Sequence, residues 1–130
     1  MSKRDRIFQI LFLAYLGMVL WCCFGHFDNL PKVQRHVLGI QTDKVVHFIM
    51  FLPFVFLGYL SFASITKKRS GAALLAFAVF LVGILMAVAT EKAQSLTTYR
   101  SGDVMDFVAD AGGLALAFLC VLALILLRKR

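Results

Sequence analysis

Hydrophobic residues in this chain form long unbroken runs rather than alternating or single-face patterns, and the polar residues collect between them. Four runs, at about 7–25, 45–65, 72–90 and 107–127, reach the roughly 20 apolar residues that a helix needs to cross a bilayer. A membrane β-barrel is excluded because it takes at least about eight short alternating segments. Without water to pair the backbone, helix is the remaining choice. The pattern therefore predicts an all-α integral membrane four-helix bundle. The first run starts with Lys3, Arg4 and Arg6, as a secretory signal would, but it is too long and lacks an Ala-x-Ala-type exit. Leu20-Trp21-Cys22 also lacks the small residues that precede a lipoprotein cysteine, so this run is read as a retained span.

Composition supports the same picture. The 130 residues leave room for one domain, 1–130. Hydrophobic residues make up 61% and charged residues 16%, with mean hydropathy +0.85, well below the roughly one-quarter charged share of a soluble domain. Cys22, Cys23 and Cys120 lie in apolar runs without metal-ligand spacing and are read as buried small hydrophobes.

The net charge of +7 would suit a nucleic-acid partner, but its placement says otherwise. Lys3, Arg4 and Arg6, then Lys67, Lys68 and Arg69, then Arg128, Lys129 and Arg130 hold nine of the 14 basic residues against one acid, Asp5. With an even number of spans these places share one side, and the positive-inside rule puts both termini in the cytoplasm. The basic excess is a topology signal with some attraction to lipid headgroups, and no nucleic acid is required.

The opposite side carries the chemistry. Its first loop contains Asp28-Asn29-Leu30-Pro31 and then Val33, Val37 and Leu38, which predicts a short interfacial helix ending at Gly39. Asp43, Lys44 and His47 open the second span, Glu91 and Gln94 close the third, and Arg100, Asp103, Asp106 and Asp110 lead into the fourth. Helical spacing aligns Asp43 and His47 with Met50, Phe54, Gly58 and Ser61. Glu91 aligns with Ala87 and Gly83, and Asp103, Asp106 and Asp110 with Gly113 and Ala117. Small residues mark where membrane helices approach closely, so these carboxylates are expected to face the bundle interior. A bland account competes with a functional one. Asp43, Asp103 or Asp106 can cap helices, and Lys44 and Arg100 can neutralise Glu91 in an ion-pair network that only holds helices together.

Glu91-x-x-Gln94, Arg100-x-x-Asp103-x-x-Asp106 and Asp110-x-x-Gly113, with Asp43-Lys44-x-x-His47 upstream, resemble the VanZ-like family of small bacterial membrane proteins over residues 41–117. The family usually has Asn where this chain has Asp110. The resemblance implies a multi-pass protein of the bacterial cytoplasmic (inner) membrane, related to the cell envelope and associated with resistance to teicoplanin-type glycopeptide antibiotics.

Two functions follow, and the residues leave open whether the chain is an enzyme. In the first, Lys44 and Arg100 contact an anionic headgroup or a lipid-linked envelope precursor, with Asp43, His47, Glu91, Gln94, Asp103, Asp106 and Asp110 completing the ligand-binding site. In the second, Glu91, Asp106, Asp110 and His47 act as acid and base, or gather a hard divalent cation, on a lipid-linked or phosphate-bearing substrate. A transporter has less support, because the other halves of the spans are apolar. His26 and His36 read as surface histidines, Trp21 and Tyr99 as interfacial aromatics, Tyr59 as a cross-helix hydrogen-bond donor, and Pro53 as a kink.

Overall fold

In the computed structural model the chain is built from four long helices: α1 (Lys3–Phe24), α2 (Thr42–Phe62), α3 (Arg69–Ser95) and α4 (Val104–Leu127). The structure describes residues 1–24, 36–37, 40–96 and 104–129. At about 1.5 Å per residue each helix reaches or exceeds the roughly 30 Å of a hydrocarbon core, and each is apolar enough to cross a membrane. Pro53 lies inside α2, which continues through it.

One element departs from expectation. Residues 28–35 of the predicted interfacial helix lie outside the described residues, but His36 and Val37 do not continue a helix. They form β1 (His36–Val37), antiparallel to β2 (Ile40–Gln41), immediately before α2. Only Leu38 and Gly39 separate the strands in sequence, and a two-residue link containing Gly between β-branched residues favours a hairpin.

Helix α2 packs most extensively on α4 and also meets α1 and α3, while α3 meets α4. The predicted stripes are the ones buried: His47, Met50, Phe54, Gly58 and Ser61 on α2; Gly83 and Ala87 on α3; Asp106, Asp110, Gly113 and Ala117 on α4. Phe51, Phe54, Val55 and Leu114 fill the centre. Large apolar side chains such as Leu13, Leu74, Leu85, Leu119 and Leu124 point outward, as surfaces solvated by lipid tails do. Cys23 is buried and Cys22 half-buried, but Cys120 is exposed on the outer surface of α4 and not buried as expected. An apolar run shows that a segment lies in lipid, not which way one small side chain faces.

The basic ends of the helices meet at one end of the bundle. Ser2 and Asp5 cap α1 reciprocally, the Asp5 amide donating to Ser2 Oγ at 3.1 Å and the Ser2 amide to Asp5 Oδ2 at 3.3 Å. The Ser64 hydroxyl, in the 3-10 turn Ala63–Ile65 after α2, also donates to Asp5, and Gln9 Nε2 donates to the Ser61 carbonyl at 3.0 Å. Across the bundle Arg69 donates to the Arg128 carbonyl at 2.5 Å. Asp5 thus has a structural role that the charge pattern did not reveal. Asp5→Ala removes the carboxylate half of the cap and the tie to Ser64 together, leaving the backbone amide bonded to Ser2. It is expected to lower the thermal midpoint in detergent more than Arg4→Ala, whose guanidinium only approaches Asp5 at 3.8 Å.

Candidate functional site

At the end opposite the basic residues, the first turns of α2 and α4 lie side by side. Lys44 and His47 stand one turn apart on α2, and Asp106 and Asp110 one turn apart on α4, so the two pairs face each other rung by rung. Lys44 Nζ meets Asp106 Oδ1 at 2.5 Å. One turn deeper, His47 Nδ1 and Asp110 Oδ1 share a hydrogen bond of 2.8 Å. The other ring nitrogen, Nε2, lies 3.7 Å from Asp106 Oδ2, beyond a hydrogen bond but within ionic reach. The imidazole therefore sits between two carboxylates. Burial increases along the series, with Lys44 and Asp106 side chains 13% and 10% exposed and Asp110 only 1%.

Glu91, near the C-terminal end of α3, is half-buried, and its charge acts on both His47 and Asp110. Gln94, one turn further, is buried and turns away toward α1, donating to the Cys23 carbonyl at 2.8 Å. The carbonyls of a helix's last turn have no intrahelical partner, so Gln94 satisfies one while fastening α3 to α1. Of the predicted set, Lys44, His47, Glu91, Asp106 and Asp110 come together and Gln94 acts as a tie. The side chain of Asp43, together with Arg100, Asp103 and Tyr99, lies outside the described residues. Among the described residues, no group of three or more His, Cys, Asp or Glu side chains is arranged to hold a metal ion.

Tyr15 was missed. It is buried on α1, its hydroxyl donates to the Met50 carbonyl on α2, and the charge of Asp110 reaches it. Tyr59, the expected cross-helix donor, makes no hydrogen bond among the described residues and only packs against the core. A usable signal existed: Tyr15, Val19 and Cys23 recur every four residues and all three are buried, and a tyrosine on a buried face needs a partner for its hydroxyl. Tyr15→Phe keeps the packing and removes one hydrogen bond. It is expected to cost about 0.5–1.5 kcal/mol of stability, read from unfolding in detergent, without loss of membrane insertion.

The family model described as VanZ/LLP1 matches residues 2–127. No curated protein and no solved structure matches the chain.

Proposed function

Because this chain belongs to the VanZ/LLP1 family and is a membrane protein with four spanning helices, we propose that it acts on a component of the bacterial cell envelope from the cytoplasmic membrane. Its termini then lie in the cytoplasm and its polar cluster at the outer face, where the association with glycopeptide resistance has a physical setting. The observation that carries this reading is the convergence of Lys44, His47, Asp106 and Asp110 at the bundle end opposite the basic groups. The positive-inside rule assigns that end to the outside.

The ligand best suited is an anionic lipid headgroup or lipid-linked phosphate. Asp106 already engages Lys44, so an incoming anion leans more on Arg100, whose planar fork pairs with two oxygens at once. A second reading, an intramembrane enzyme, draws on His47. An imidazole held by a carboxylate through Nδ1 keeps Nε2 for acid–base work.

The test compares envelope-antibiotic susceptibility in cells carrying the natural chain, Glu91→Gln or Arg100→Lys at matched membrane levels. Both variants are expected to lose the phenotype, since Glu91→Gln removes a charge and Arg100→Lys the fork. Retention of the full phenotype by Arg100→Lys would count against anion recognition. If His47→Gln alone abolishes phosphate release from a lipid-linked diphosphate in proteoliposomes, the enzyme reading takes precedence.

A further inference from the structure

The cluster brings three carboxylates together, those of Glu91, Asp106 and Asp110. Glu91 and Asp106 both act with their charge on Asp110, and Lys44 Nζ meets Asp106 at 2.5 Å. The groups that share an electrostatic interaction with Asp110 come from every helix: Tyr15 on α1, His47 on α2, Glu91 on α3 and Asp106 on α4, the last paired with Lys44 of α2. An independent observation lies at the deep end of the series. Asp110 Oδ2 is buried and has no hydrogen-bond donor among the described residues, although the other oxygen of the same carboxyl is held by His47. A buried carboxylate oxygen without a donor is strongly disfavoured in a low-dielectric setting. The atom has almost no accessible surface, so a ligand that occupies volume does not reach it in this packing. A proton does.

We infer that the His47–Asp110 pair is a proton-binding site, holding at neutral pH one proton more than a neutral imidazole beside a carboxylate would hold. Two arrangements carry that same count: an imidazolium against a carboxylate, or a neutral imidazole against a carboxylic acid. In the first, His47 lies between Asp110 at 2.8 Å and Asp106 at 3.7 Å and offsets both. In the second, the acid proton resides on Oδ2. The proton exchanges with the aqueous boundary through Asp106 and Lys44, the more exposed members of the series. This inference is independent of the envelope ligand.

The test uses the full chain in lipid bilayers with His26→Gln and His36→Gln, which leave His47 as the only histidine. Solid-state NMR on 15N-histidine and 13C-aspartate is recorded at about pH 8, where a free imidazole of pKa about 6.5 is roughly 97% neutral. The expected spectrum shows a cationic His47, or a neutral His47 correlated with an un-ionised aspartate carboxyl. A neutral His47 with every aspartate ionised overturns the proposal. In the same background Asp110→Asn is expected to return His47 to the neutral form. A cationic His47 there gives the proton to Asp106 and Glu91 and overturns the pair assignment. Should Asp110→Asn fail to fold, the correlation between His47 Nδ1 and the Asp110 carboxyl in the first sample decides instead, and its absence overturns the pair.

Discussion

Gly113→Ala is expected to abolish accumulation of the folded protein, although one methyl is the smallest possible addition. A Cβ at Gly113 would collide with the backbone carbonyl oxygen of Phe48 and lie 3.2 Å from its carbonyl carbon and 3.3 Å from the Leu52 nitrogen. These are backbone atoms of α2, which cannot turn aside as a side chain would, so the helices must separate along the most extensive interface of the bundle. Overpacking a fitted core costs about 1–3 kcal/mol, and a collision with backbone belongs at or above the top of that range. Helix propensity works the other way, since Ala is favoured over Gly by about 0.5–1 kcal/mol, but it is the smaller term. Gly112→Ala is the matched control. Its Cβ would meet only the Phe48 ring, at 3.4 and 3.5 Å, so propensity decides and stability is expected to hold or rise. Thermal unfolding in detergent, with size-exclusion profiles of both variants, checks the pair. Equal behaviour at 112 and 113 would show that the α2–α4 approach is looser than the structure has it. Phe48 follows His47 directly, so the separation that relieves Gly113→Ala also draws His47 from Asp110.

Most of this arrangement is legible in the sequence, because the bilayer restricts what a chain can do. Apolar runs of spanning length become helices, and the stripe through His47, Met50, Phe54, Gly58 and Ser61 is buried as its spacing requires. The facing of Asp106 and Asp110 toward the interior follows from the same rule, since Gly113 and Ala117 continue their stripe. What spacing within one helix does not contain is the pairing between helices. It aligns Lys44 with no particular carboxylate, and only the docking of α2 on α4 selects Asp106 for Lys44 and Asp110 for His47. Asp5 was hidden for a related reason. Among the nine basic residues on that side it reads as a minor correction to a charge count, whereas its carboxylate accepts from the Ser2 amide and the Ser64 hydroxyl. The hairpin at β1 and β2 was obscured because Val33, Val37 and Leu38 satisfy a helical spacing as well as a strand would.

Lys44→Met is expected to destabilise the protein by about 3–5 kcal/mol, the usual cost of leaving one member of a buried ion pair uncompensated. Its partner Asp106 is 10% exposed, lies 3.7 Å from His47 and interacts with the like charge of Asp110. Asp106→Leu alone removes the carboxylate of the same contact and is also expected to destabilise the protein. The double variant Lys44→Met, Asp106→Leu removes both charges and replaces them with apolar groups. It is expected to recover most of the loss, because well-packed hydrophobic residues commonly equal or exceed a buried ion pair in stability. A double-mutant cycle from unfolding in detergent reads the coupling directly, and additive losses would mean that the 2.5 Å contact contributes little. The same variant separates fold from function, which neither single variant does. With the bundle restored and the charges gone, an envelope phenotype that persists would assign the Lys44–Asp106 rung to holding α2 against α4. A phenotype that disappears from a stable, correctly inserted protein would assign it to the ligand, because nothing in the restored packing then accounts for the loss.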